Sequence, residues 1–209
     1  MNSRRDFLKK AFLLSSLVYC AQFGFARTEG KKNAIVYYSR TLNTHILAKY
    51  LQNITKSDLI SLQTINSYPS DFDTMSKIVK DERNRNFKPK LVNINFEPNN
   101  YDMIFIGTPV WAGGISSPLR TFLSMYNFDS KIIIPFCTQV KDGIEGCVKD
   151  IQGLIPNSKI LEGIDIKAAF EKEDQNLKSK NEKYINNNTN YLTSADKQKI
   201  DLWLKKYKN

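Results

Sequence analysis

The chain has 209 residues, 41% of them hydrophobic and 11% aromatic, and carries a formal net charge of +10. That size and composition suit one α/β domain with its own core and exclude a disordered chain. No run of about 18 apolar residues occurs in the body, which excludes a membrane-embedded fold. A lone histidine, His45, excludes His-dependent triads and multi-histidine metal sites.

Residues 1–26 read as a targeting segment. Arg4-Arg5-Asp6-Phe7-Leu8-Lys9 precedes an apolar stretch from Ala11 to Tyr19 and a small-residue end at Gly24-Phe25-Ala26. A charged start, a short apolar middle and a small-residue exit make a bacterial signal peptide, and the paired arginines resemble the twin-arginine export signal. Cleavage after Ala26 leaves a single domain over 27–209, periplasmic or otherwise exported, with no stable membrane insertion. Residues 1–26 contribute +3 of the net charge, so about +7 remains on the mature chain. Its lysines are scattered, without interleaved aromatics, which points to a solvated basic surface and not to a nucleic-acid interface. Cys137 and Cys147 remain after cleavage. Two separately buried thiols are the preferred reading and a bridge the alternative. With no C-x-x-C, no zinc or dithiol site is indicated.

Residues 33–38 form a continuous apolar run, predicting a strand buried on both faces. A helix follows from about Thr44, with Ile46, Leu47, Tyr50, Leu51 and Ile54 on one face; an ordinary strand-to-helix turn capped by Asn43 or Thr44 is the alternative to any ligand role for the residues before it. Leu59–Leu62 predicts a second strand. A helix from Asp71 to about Asn84 carries Phe72, Met75, Ile78 and Val79 as its stripe. Met103–Ile106 predicts the third strand, and Ser117-Pro118 a capped helix start. Ile132–Phe136 predicts the fourth strand, 144–154 a helix, and 159–161 a short fifth strand. Residues 171–192 are polar and read as an exposed insertion. Thr193 and Asp196 suit a capping box for a last helix that packs through Ile200, Leu202, Trp203 and Tyr207. Strands alternating with helices specify βαβ units and a parallel sheet, which takes ligands beyond the carboxyl ends of its strands.

Two loops fall at that edge. Ser39-Arg40-Thr41-Leu42-Asn43-Thr44 follows the first strand and offers hydroxyls, an amide and the free N–H groups of a helix start, the chemistry of a phosphate site. Arg40 points either to phosphate or to water. Thr108-Pro109-Val110-Trp111-Ala112-Gly113-Gly114 ends the third strand with an indole on a glycine-bracketed turn, which suits a planar ring.

These motifs resemble the flavodoxin family. Its phosphate loop, Ser/Thr-x-Thr-Gly-Asn-Thr, is matched by residues 39–44, its Tyr-Asp-x-Ile-x-x-Gly-x-Pro-x-Trp stretch by 101–111, and its Pro-Phe-Cys-Thr strand end by 135–138. The resemblance covers roughly 33–166 and resumes in the last helix. It implies a three-layer, doubly wound α/β fold with a five-stranded parallel sheet of order 2-1-3-4-5, and noncovalently bound FMN held by residues 39–44, by Thr108 to Gly114 and by Thr138, Gln139 and Gly143. An electron carrier with a protein redox partner is the implied function. Its alternatives are an FMN-dependent NAD(P)H quinone- or azo-type oxidoreductase and a flavin-free binding protein. The chain departs from the family at three points. Leu42 stands where glycine is usual, the third loop reads Gln139-Val140-Lys141-Asp142-Gly143 in place of a glycine-rich stretch, and the charge is basic where family carriers are usually acidic.

Overall fold

The apolar runs become strands whose register is parallel throughout. The computed structural model describes residues 32–169 and 191–207. At the centre lies β1 (Asn33–Tyr38), flanked by β2 (Asp58–Leu62) and β3 (Met103–Pro109), with β4 (Ile132–Gln139) beyond β3. Two short segments share the outer position. β5 (Lys159–Ile160) pairs with Ile132–Ile133, and β6 (Ile164–Lys167) pairs with Phe136–Gln139. The order is β2-β1-β3-β4-β5, the 2-1-3-4-5 arrangement that the family resemblance implies.

The fifth strand is broken where a continuous short one is expected. The gap falls opposite Pro135, which has no N–H to give the ladder. Gly163 lies in the same gap, where a Cβ would come within 2.7 Å of the Pro135 carbonyl oxygen.

Among the described residues the sheet is flanked by α1 (Asn43–Thr55), α2 (Phe72–Asn84), α3 (Ser117–Met125), α4 (Glu145–Leu154) and α5 (Ser194–Lys205). Period-two alternation divides the core. Ala34, Val36, Tyr38, Ile104, Ile106 and Ile133 face α3 and α4. Ile35, Tyr37, Phe105, Ile134 and Phe136 face α1 and α5.

Helix starts follow local chemistry. The Asp71 carboxylate accepts from Thr74 N at 2.7 Å to cap α2, and Thr193 and Asp196 form the expected capping box on α5. Three details differ from the sequence reading. The α3 cap position is Ser116, not Ser117, and the Ser116 hydroxyl is spent on Thr108 instead of the helix. Phe72, the first residue of α2, is exposed, and Met75 and Val79 are the buried apolar residues of that helix. Leu202 is exposed as well, and Leu204 joins Ile200 and Trp203 as the buried stripe of α5.

The signal segment 1–26 and most of the 171–192 segment lie outside the described residues. At its end Leu192 is buried against the α1–α5 core, so the polar, exposed reading does not extend to that position. Among the described residues no helix is long and apolar enough to cross a membrane, and no cluster of His, Cys, Asp or Glu can hold a metal ion.

Candidate functional site

The first loop begins where β1 leaves the sheet. Leu42, at the cap position of α1, has φ 67° and ψ −7°, the left-handed region that favours glycine. This removes the alternative of an ordinary capped turn. Neither Asn43 nor Thr44 caps the helix, because both side chains are engaged elsewhere. Asn43 Nδ2 donates to Thr41 Oγ1 at 2.9 Å, and its Oδ1 accepts from Ala169 N at 3.1 Å. The Thr44 and Thr138 hydroxyls lie 2.8 Å apart in the interior. The start of α1 therefore has no side-chain cap and no acidic residue in its first turn. Its partial positive charge is left for an anion.

Ser39 sits at the mouth of this loop, and its Oγ is buried without a hydrogen-bond partner. An orphaned buried hydroxyl costs roughly 1–3 kcal/mol unless something else meets it. Arg40 turns to the chain after β2, donating to the carbonyls of Pro69 at 3.1 Å and Ser70 at 3.3 Å. His45 is half-buried, with Nδ1 2.5 Å from Tyr37 Oη. Burial, helped by Lys49, holds its pKa below the ordinary 6.5. The imidazole is thus neutral near pH 7 and adds no charge to the loop.

The second loop is a tight turn. Trp111 N donates to Gly114 O at 2.9 Å, and Gly114 N returns a bond to Trp111 O at 3.0 Å. Ala112 (φ 47°) and Gly113 (φ 76°) both take positive φ, the signature of a type I′ turn. Thr108 Oγ1 accepts from Ser116 N at 3.0 Å and closes the loop at its base. Pro109 ends β3, and Val110 N donates to Thr138 O at 3.0 Å. Thr138 therefore joins all three loops, through its hydroxyl to the first and its carbonyl to the second.

In the third loop, Gln139 Nε2 donates to Asp165 Oδ2 at 3.1 Å while its Oε1 is buried without a partner. Val140, Lys141 and Asp142 are exposed, and Gly143 precedes α4.

Two residues outside the predicted site set pack against the indole. The Trp111 ring meets Tyr38 edge-on at 5.4 Å and Tyr68 at 4.9 Å between centroids. Tyr68 Oη donates to Glu82 Oε2 at 2.8 Å. Burial and then Glu82 raise the Tyr68 pKa, so the phenol keeps its proton. No local pattern marks Tyr68, because 43 positions separate it from the ring it touches.

Cys137 and Cys147 are both free and both buried in the core under α3 and α4. They are two buried thiols without a bridge, the reading preferred from sequence, and the two lie side by side. The Cys147 thiol, then burial, pushes the Cys137 thiol up. A hollow of about 280 Å³ between Glu97 and Asp129 lies at the opposite, amino-terminal end of the strands, away from the three loops.

A family model described as flavodoxin matches residues 32–184. No curated protein sequence matches the chain. Among solved structures, a flavoprotein in complex with FMN from Lactobacillus acidophilus NCFM is 25% identical, with a TM-score of 0.56 over 65% of this chain and 93% of that one. The apo-form of the flavoprotein from the same organism aligns at 24% identity and TM-score 0.52, covering 65% and 91% of the two chains. A Bacteroides uniformis ATCC 8492 protein reaches a TM-score of 0.60 at 22% identity, covering 74% of this chain and 99% of its own.

Proposed function

The chain belongs to the flavodoxin family, and from that premise we propose that it binds FMN noncovalently and works as an exported electron carrier. The observation that carries the cofactor reading is the buried, partnerless Ser39 hydroxyl beside a helix start with neither cap nor acid. A phosphate supplies the acceptor that the hydroxyl lacks and the negative charge that the helix end favours. One strand away, the type I′ turn presents Trp111 for a planar ring. The FMN complex of the 25% identical Lactobacillus flavoprotein supports the same reading.

In this arrangement Ser39, Thr41 and the amides of residues 40–44 hold the phosphate. Trp111 lies against the ring, and the backbone at Gly113, Gly114 and Gln139 meets its polar edge. Bound FMN supplies reversible uptake of one or two electrons. The chain's own contribution is to bind it, orient it and limit the water around it. Thr138 keeps the three loops in register without itself needing to touch the cofactor.

Purified residues 27–209, examined by visible spectroscopy and titrated with FMN, test this. Oxidised-flavin bands or saturable uptake support it, and a colourless protein indifferent to FMN refutes it. The carrier role predicts reversible reduction without sustained NADH or NADPH oxidation when a quinone or azo dye is supplied. Steady turnover would assign a reductase instead. Export rests on Arg4-Arg5-Asp6-Phe7-Leu8-Lys9. It is tested by fractionating cells with and without a twin-arginine translocase, where cytoplasmic retention in both rejects it.

A further inference from the structure

Beneath the Trp111–Gly114 turn lies a carboxylate that the cofactor reading does not use. Asp150, on α4, accepts through Oδ2 from Arg83 Nη1 at 2.7 Å and from the backbone N–H of Ile115 at 3.1 Å. Its Oδ1 accepts from Arg83 Nη2 at 3.4 Å. Arg120 Nη2 lies 3.9 Å from Oδ2, and Arg120 Nη1 donates to Asn86 at 2.9 Å. The Asp150 side chain is only 18% exposed and that of Arg120 8%. One acid thus gathers α2, α3 and α4 onto the residue that follows the turn. An ion pair removed from water is weak evidence for stability, since desolvation offsets its attraction. What this one secures is geometry.

Packing around the turn agrees. A Cβ on Gly114 would lie 2.1 Å from Asp150 Oδ2 and 2.0 Å from Arg83 Nη1. A Cβ on Gly146, at the start of α4, would lie 1.8 Å from the Gly113 carbonyl oxygen. Both glycines let α4 and Arg83 press directly on the turn backbone. That backbone includes Ala112 at φ 47°, a conformation a non-glycine residue keeps only when its surroundings enforce it.

We propose that Asp150 is a positioning residue of the ring-binding turn: through the Ile115 amide and Arg83 it fixes the turn and, with it, the plane of Trp111. This rests on the FMN reading for its functional meaning but not for its structural content. The test uses the mature chain. Asp150→Ala is expected to weaken FMN binding roughly tenfold, the scale of a lost hydrogen bond to a charged group. It should weaken riboflavin by the same factor, because the phosphate loop is untouched. Without FMN, the Ile115 amide should exchange faster and the near-UV circular dichroism of Trp111 should diminish. Asp150→Asn, which keeps an acceptor for Ile115, should fall between, and Arg83→Gln should lose less than Asp150→Ala. Where Asp150→Ala fails to fold, those two milder variants carry the test. Wild-type flavin affinity together with unchanged Ile115 exchange in the folded variants overturns the proposal. If the wild-type chain ignores FMN, faster Ile115 exchange in the variants still supports the positioning role while the cofactor reading falls, and unchanged exchange rejects both.

Discussion

Replacing Leu42 tests how the phosphate loop keeps its shape without glycine. Leu42 has φ 67° and ψ −7°, and its side chain is half-buried. The left-handed region costs a non-glycine residue roughly 1–2 kcal/mol. Leu42→Ala removes the side chain and keeps that cost. Leu42→Gly removes both, but frees the unfolded chain by roughly 0.5–1 kcal/mol. The step from alanine to glycine therefore isolates the backbone, and the difference leaves the glycine variant more stable by about 0.5–1 kcal/mol. At ordinary negative φ the sign reverses, with glycine less stable by about the same amount. Urea and thermal unfolding followed by circular dichroism measure the pair. For a domain of this size the gap corresponds to roughly 1–4 °C in Tm. FMN affinity should be equal or better in the glycine variant, since the phosphate amides are already arranged in the parent loop. An alanine variant as stable as the glycine variant, or more so, would refute the left-handed cap.

Ser39→Ala deletes a buried hydroxyl that lacks a partner. The FMN-free variant should be at least as stable as the parent, while FMN binds roughly tenfold more weakly and riboflavin is unaffected. Trp111→Ala should weaken FMN and riboflavin alike by tenfold or more, with Trp111→Phe recovering most of the loss, on the scale of about 1–3 kcal/mol for aromatic stacking. Both are read by fluorescence titration. His45 has a folded-state pKa below its unfolded value of 6.5, so the unfolded chain binds the proton first as the pH falls. Its contribution to stability is complete above pH 6.5 and declines below it, down through the lowered folded value. Urea midpoints between pH 7.5 and pH 5 should fall in the parent and fall less in His45→Gln. Equal slopes in the two proteins would dismiss the histidine.

Local pattern made much of the fold legible. The run at residues 33–38 is β1 to the residue, with Ala34 to Tyr38 all buried. Thr193 and Asp196 announced α5 because a capping box is written in adjacent side chains. The break between β5 and β6 was not legible. It depends on Pro135 facing the outer position across the sheet, a relation that exists only once β4 is paired. Phe72 and Leu202 fit a helical stripe by spacing, yet α2 and α5 bury other residues. Within the site, Leu42 could be read as a residue in glycine's place, but its left-handed backbone could not. Tyr68 against Trp111, and Asp150 against Ile115, are meetings of distant segments with no motif between them.

The divided outer strand also governs how the molecule meets its own copies. A continuous edge strand is a template on which another chain can extend the sheet. Here the edge offers two residues in β5, then the interruption at Leu161–Gly163, then four residues in β6. Within the interruption the Glu162 carbonyl is already occupied, accepting from Trp203 Nε1 at 2.9 Å and from the Tyr207 hydroxyl. An invading strand would find neither a straight ladder nor a free acceptor at its middle rung. Resistance to self-association along this border thus depends on the last helix as much as on the sheet, and shortening the chain before Trp203 would expose it.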